Sequence, residues 1–488
     1  MKTKYFFLTL FLTLHAFSQY EWTKPIQITF GLGDDVHPAF IKSHAFFYNE
    51  VSFAFSRSNS VGGSDICIMK TNKYGQFWID TTYYITFNDT TKNDFPTYAR
   101  NYGQSFIELK MLLWTRDKNI SYIYFEDSVI KSIGQLTHDS NRNEFPCVTG
   151  SNNGFGAVWQ KLGVIEFSEF FDSAWSEPIT IDRSDTLNSH PVVCYFENKP
   201  VVVWEKRKVH DSTRSIFYSV RTDSGWTISD TLTTVGDNRN PRFSNPETED
   251  QVVITWESNR TGDWDVFISE SVFSIDKTKL VFQSYNVSQD PLSDDIDACF
   301  TYYILVGGNS SSIYPNNALF WRTIHGESDS IASYPFFSYF SDSIRYLTPV
   351  VNSVDRHPDI SEGVYPGVWC IWENNNNGVW KIYGETTNIW TNVNDDNFIH
   401  PNSFSLSQNF PNPFNPTTTI RFTIHETQFT TLKIYDIFGR EVATLVNENL
   451  QAGNYERKWD ATGIPSGMYF YRLASNNFSE TKKLLLLK

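Results

Sequence analysis

A unit of about fifty residues recurs through residues 20–390, and an internal repeat of that length limits the fold more tightly than any other feature of the chain. An Asp or Asn stands three positions before a proline that opens a short apolar run. The instances are Asp35-Val-His-Pro38, Asn93-Asp-Phe-Pro96, Asn143-Glu-Phe-Pro146, Asn188-Ser-His-Pro191, Asn238-Arg-Asn-Pro241 and Asp355-Arg-His-Pro358. Asp294-Asp-Ile-Asp297 fills the corresponding place with Asp where proline is expected. Successive instances are 58, 50, 45, 50, 56 and 61 residues apart. Each is followed by an apolar run that ends on an aromatic residue and a polar turn: Phe55, Trp114, Trp159, Trp204, Trp256, Trp321 and Trp372. A third short strand follows, as in Asp65-Ile-Cys-Ile and Asp265-Val-Phe-Ile, and a fourth often opens on Trp, as at Trp78, Trp175 and Trp226.

Four short strands per repeat of this length predict a β-propeller blade. Runs such as Val201-Val-Val-Trp204 and Val252-Val-Ile-Thr-Trp256 are apolar on both parities. A strand covered on both faces by neighbouring sheets needs that pattern, whereas a sandwich strand with one wet face alternates. Aromatics at 16% of the chain suit such strands. The expected fold is all-β, with seven blades over residues 19–390; the irregular repeat from Asp294 to Tyr346 leaves six or eight open. Glu21-Trp-Thr-Lys-Pro-Ile-Gln-Ile-Thr29 matches the outer strand Trp175-Ser-Glu-Pro-Ile-Thr-Ile181, and the last repeat lacks a clear outer strand of its own. The N-terminal strand is therefore expected to complete the last blade, removing the free edges of an open ring.

Short stretches carry family resemblances. Trp256-Glu-Ser-Asn-Arg-Thr-Gly-Asp-Trp-Asp-Val-Phe267 resembles the repeat of TolB-like propellers, and Thr71-Asn-Lys-Tyr-Gly-Gln-Phe-Trp78 resembles a sialidase Asp-box with Lys73 in place of Asp. From Phe404 the composition changes. Phe404-Ser-Leu-Ser-Gln-Asn-Phe-Pro-Asn-Pro-Phe-Asn-Pro416, Leu432-Lys-Ile-Tyr-Asp-Ile-Phe-Gly-Arg440, Pro465-Ser-Gly-Met-Tyr-Phe-Tyr-Arg472 and Thr481-Lys-Lys-Leu-Leu-Leu-Leu-Lys488 together resemble the type A C-terminal sorting domain of the type IX secretion system. The resemblance implies export across the outer membrane and a location outside the cell or on its surface. Read from the residues, 404–488 form a small immunoglobulin-like β-sandwich: Pro411, Pro413 and Pro416 enforce an extended entry, and Gly439 turns the chain between two apolar runs. Residues 391–403 are polar and turn-rich and read as a linker.

The N-terminus has the form of a signal peptide over residues 1–18. Lys2 and Lys4 precede a short apolar stretch, and Ala16-Phe17-Ser18 offers a cleavage site. The general secretion machinery and the type IX apparatus are thus the expected handling partners. No later run is long enough to span a bilayer, so the mature chain is expected not to be integral to a membrane. A net charge of −15 and the lack of a basic cluster argue against nucleic acid. Cys67, Cys147, Cys194, Cys299 and Cys370 sit in strand-like runs and read as core residues, with one disulfide left open.

Candidate ligand-binding residues are those expected at the channel mouth, in the loops that enter the innermost strands. His37, His190 and His357 share one repeat position, and Asp35, Asp94, Asp295 and Asp355 lie beside them. Imidazole and carboxylate can hold a cation, and a polar mouth can take a sugar. The alternative is that Asp and Asn cap the turn. No cofactor is expected, no metal set is assigned, and a divalent cation remains a candidate. Glu205, Glu257 and Glu373 follow the strand-ending Trp; a residue repeated around a ring reads as a structural contact before it reads as a catalytic acid. A sialidase would need an arginine clamp, and its Arg-Ile-Pro motif is absent. The chain lacks GxSxG, HExxH, P-loop and dinucleotide-binding signatures. The leading expectation is a binding module for a glycan or protein; an extracellular glycan-active hydrolase or lyase is the alternative.

Overall fold

The computed structural model describes residues 21–487 apart from 389–404 and shorter stretches, chiefly 43–50, 72–77, 103–107, 244–251, 337–344, 348–353 and 362–368. The export signal at 1–18, the linker at 391–403, the body of the Asp-box-like stretch and the entry residues Pro411 and Pro413 lie outside the described residues. The chain is all-β, with no helix among the described residues. No helix there is long and apolar enough to cross a membrane.

Each repeat folds into one antiparallel meander. Asn238–Phe243, Val252–Ser258, Asp265–Phe273 and Leu280–Asn286, for example, pair in that order. The Asp/Asn-x-x-Pro segment differs from expectation, because it is not a loop entering the first strand but part of it. The strand starts at or before the Asp or Asn and runs through the proline, and the pairing register slips there: between Val36 and Ala39, Asp94 and Thr97, Glu144 and Cys147, Ser189 and Val192, and Arg239 and Arg242. A proline has no N–H for the ladder, and a bulge is where a strand can hold it. In the irregular repeat the slip falls between Ile296 and Cys299, so the motif runs Asp295-Ile-Asp297-Ala298, one residue later than the sequence alignment set it.

The first strands are Asp35–Lys42, Asn93–Tyr102, Asn143–Ser151, Thr186–Phe196, Asn238–Phe243, Asp294–Val306 and Val354–Ile360. Each packs beside the next, and Val354–Ile360 packs beside Asp35–Lys42, so they form a closed ring in a β-propeller-like arrangement. Between Asp35–Lys42 and Asn93–Tyr102 the contact is a parallel pairing, as it must be when neighbouring innermost strands run the same way. Apolar clusters join consecutive meanders. Val201, Val203 and Ile216 meet Ile254 and Trp256; Met111 and Leu113 meet Ala157 and Trp159. Phe53, Phe55 and Met69 of the first meander meet Trp369 and Ile371 of the last. Second strands are therefore covered on both faces, as Trp369–Asn375 shows, where only the last residue is more than slightly exposed.

The N-terminal segment completes the last sheet. Glu21–Trp22 and Ile26–Gln27 pair with Lys381–Asn388. The Ile382 N–H donates to Thr29 Oγ1 at 2.9 Å, and the Ile28 N–H donates to the Ile382 carbonyl at 2.8 Å. The same two bonds link Ile66 with Thr86 and Ile85, Ile120 with Thr137 and Leu136, Ile216 with Thr233 and Leu232, and Val266 with Ser288 and Val287. Thr29 thus occupies the outer position that these four repeats fill from their own segment.

The C-terminal residues form two further sheets, one ordered Ser405–Leu406, Thr417–Ile424, Gly453–Asp460 and the other Glu441–Leu450, Gln428–Tyr435, Gly467–Ser475, Phe478–Leu486. Both contribute to one core: Phe422 and Trp459 from the first, Leu432, Tyr471 and Leu484 from the second. Here burial alternates along Gln428–Tyr435, the mark of a strand with one solvated face. Asp436 fixes the turn that follows by accepting the N–H groups of Phe438 and Arg440, and Gly439 sits at φ 76°. None of the five cysteines is in a disulfide.

Replacing Thr29 by Val removes the acceptor for the buried Ile382 N–H and leaves its shape in place. The variant should lose about 1–3 kcal/mol in urea unfolding, the cost of an unsatisfied buried donor. A loss no greater than that of an exposed Thr→Val control would show that the closing bond is dispensable.

Candidate functional site

The residue before each proline, or before Ala298, has a left-handed backbone: His37, Phe95, Phe145, His190, Asn240, Asp297 and His357 all have φ between 47° and 55°. For a residue with a Cβ this region is sparsely populated and costs of order 1–3 kcal/mol, so the surroundings must enforce it. The residues on either side supply the enforcement. The Asp or Asn two positions earlier and the residue one position later are buried in every unit. Trp114, Trp204, Trp321 and Trp372 each donate the indole N–H to the Asn93, Asn188, Asp295 and Asp355 side chains, at 2.9–3.1 Å. Where Phe55 replaces Trp, Asp35 binds Arg57 Nε at 2.5 Å and Lys381 Nζ at 3.2 Å instead.

The left-handed residues form an arc of rings. His37 lies 5.8 Å from His357 and stacks on Phe95 at 4.3 Å; Phe95 meets Phe145 at 5.2 Å, and Phe145 meets His190 at 4.2 Å. The arc continues in polar groups: Asn240 Nδ2 donates to Asp297 Oδ1 at 3.3 Å. Phe95 is 36% exposed, although Asn93 two positions before it and Pro96 after it are buried.

A carboxylate of the preceding unit grips several of these positions. Glu373 Oε1 accepts the His37 N–H at 2.6 Å, Glu205 Oε1 the Asn240 N–H at 2.7 Å, and Glu257 Oε1 the Asp297 N–H at 2.7 Å. The second oxygens are also engaged: Arg356 Nε donates to Glu373, Arg239 Nε to Glu257, and Ser189 Oγ to Glu205. Each of the two arginines lies over a tryptophan ring, Arg239 at 3.7 Å from Trp264 and Arg356 at 3.6 Å from Trp380. These glutamates lie inside the second strands rather than at turns.

Their acidities shift in different directions. Burial pushes each upward, but His357 and His37 hold Glu373 down to about 2, and the His190 imidazole 3.3 Å away holds Glu205 below the ordinary range. Glu257 has no imidazole beside it; burial and the nearby Asp297 raise it, against Arg239 and Asn240. Burial lowers the His37 imidazole despite Glu373.

The seven candidates from sequence thus separate into two groups. His37, His190 and His357 belong to the arc, and His37 and His357 come together. Asp35, Asp295 and Asp355 are buried; Asp295 and Asp355 are bound to tryptophans of their own sheets, and Asp35 to Arg57 of its own sheet and Lys381 of the last; Asp94 is half-buried and accepts from Ser56 Oγ at 2.9 Å. Phe95, Phe145, Asn240 and Asp297 share the histidines' repeat position but were not singled out, because two are apolar and the Asp297 register was set one residue off. The position before the proline was the available signal.

Residues 408–487 match the family model described as the secretion system C-terminal sorting domain. These residues are a type IX sorting domain. The chain is accordingly exported to the cell surface or the extracellular space, and its sorting domain engages the type IX machinery. No curated protein matches the chain. Similar solved structures include a fungal alcohol oxidase of the AA5 family in complex with copper, at 8% identity and TM-score 0.45, covering 96% of this chain and 100% of that one. Others are the polysaccharide lyase Uly1 (10%, 0.40, covering 72% and 90%) and an endo-arabinanase from Bacillus licheniformis (14%, 0.29, covering 51% and 95%). At these scores none of them bears on what this chain binds or does.

Glu373 gives a pH signature. Its carboxyl titrates near 4.5 in the unfolded chain and about 2 in the folded one, so its stabilisation is complete above about pH 4.5 and lost as pH falls toward 2. The amount is about 3 kcal/mol. Unfolding midpoints from pH 7 to 2 should fall less steeply for Glu373→Gln than for the parent; parallel curves would remove this assignment.

Proposed function

We propose that this protein is a secreted or surface-displayed binding module. In this reading residues 19–390 form a seven-bladed propeller closed by its own N-terminal strand, and an immunoglobulin-like domain at 404–488 delivers it. One mouth of the channel presents the arc from His357 through Phe95 and Phe145 to His190 to a glycan or a protein side chain. The observation that carries the reading is the exposure of Phe95 within an arc of rings whose left-handed backbones are enforced at each unit. A ring held rigid costs little entropy to present, and aromatic faces suit the apolar face of a sugar or a side chain. The carboxylates around it are engaged by backbone, arginine, serine or histidine groups, which favours binding over hydrolysis.

One observation favours a glycan-active enzyme instead. Glu257, raised by burial and by Asp297, has the environment of a proton donor. At 2% exposure and with both oxygens bonded it would first have to be uncovered.

A glycan array and a hydrolysis or lyase assay on the secreted chain separate the two. Binding without turnover, weakened about tenfold or more in Phe95→Ala and Phe145→Ala, is the expected outcome. Turnover abolished by Glu257→Gln would establish the enzyme. Removing residues 405–488 should leave the chain inside the cell envelope, as immunoblots of culture fluid and cell fractions would show; undiminished release would refute the sorting role.

A further inference from the structure

We propose that His37, His357 and Glu373 bind a divalent metal ion of the zinc, nickel or copper kind at the seam between the first and last units of the ring. Each residue offers one ligand atom, and the three atoms lie within 4.8 Å of one another. Metal–ligand bonds of about 2.0–2.2 Å place the donors of a tetrahedral site about 3.3 Å apart. His357 Nδ1 and Glu373 Oε1 are already 2.9 Å apart, so a small rotation of an imidazole closes the rest.

Three features prepare the site. His37 Nδ1 is sealed from solvent and has no hydrogen-bond partner, which is an unusual state for a buried ring nitrogen. The His37 ring stacks on Phe95, which fixes its plane and leaves the nitrogens at the edge free to coordinate. Glu373 is held by the His37 N–H and by Arg356 Nε, the kind of outer support that orients a ligating carboxylate.

The equivalent positions elsewhere fall short. Glu205 has His190 beside it at 3.3 Å, but the next unit supplies Asn240 where a second histidine would stand. Glu257 is flanked by Asn240 and Asp297 and has no imidazole. Among the described residues, only at the seam does one carboxylate meet the left-handed histidine of its own unit and that of the next. Two nitrogens and one oxygen suit borderline divalent ions and not calcium or magnesium, which prefer oxygen throughout. Three protein ligands leave at least one position for water or a bound ligand. Because His37 and Glu373 are 336 residues apart, the ion would also pin the ring shut.

The test uses the full secreted chain stripped with a chelator. Calorimetric titration with Zn²⁺ should show one ion per chain, and the thermal midpoint should rise with Zn²⁺ but not with Ca²⁺ or Mg²⁺. His37→Asn and His357→Asn keep the left-handed backbone, since Asn240 adopts it at the same repeat position. Each should weaken Zn²⁺ binding by more than about tenfold, a loss that even outer-shell changes reach, and should shrink the Zn²⁺-induced rise read against that variant's own metal-free midpoint. His190→Asn should leave uptake unchanged. Absence of Zn²⁺ uptake by the parent, or undiminished uptake by the double variant, would overturn the proposal. Zinc uptake and glycan binding are separate readouts, so either can fail while the other stands.

Discussion

A ring of sheets stands or falls on the joint between its ends. Here that joint is made of ordinary parts used at an unusual distance. Thr29 and Ile28 give Ile382 the same pair of hydrogen bonds that four other repeats make within about twenty residues, and the Glu373 carboxylate caps the His37 N–H as Glu205 and Glu257 cap their successors. Without the joint, Phe53, Phe55, Trp369 and Ile371 would be left as open apolar faces on the first and last sheets.

The bulge in each first strand links this architecture to the candidate site. Proline removes a ladder donor, the strand absorbs the loss by bulging, and the residue before it turns left-handed. That residue is part-buried or exposed in every unit, unlike the buried residues two before and one after it. The ring therefore offers a fixed set of side chains that can vary without disturbing the core. Histidine, asparagine and aspartate, which tolerate this backbone better than most, fill five of these positions, and phenylalanine fills the two at which the rings stack.

The repeat, the double-faced apolar strands, the closing N-terminal strand and the sorting tail were all readable in the sequence, because each leaves a periodic or motif-length trace. The roles within the motif were harder to read. Asp35 and Asp355 look like ligands beside a histidine, and Asp295 like their counterpart, yet their partners are Arg57, Trp372 and Trp321, one strand away, and cross-strand pairing is not written in local spacing. Nor could spacing show that Glu373 faces His37 from the far end of the ring. Asp297 was misplaced by one residue because Ala298 stands where proline marks the other units.

The separation of Thr29 from Ile382, 353 positions, also governs the order of events during synthesis. The ribosome releases the N-terminal strand first, and that strand waits through the growth of nearly the whole ring before its partner emerges. Intermediate chains carry an unsealed sheet edge that invites mispairing with neighbours, the circumstance in which a chaperone is most needed. The sorting domain emerges only after the partner of the closing strand, so a chain that presents its export address is already long enough to have closed.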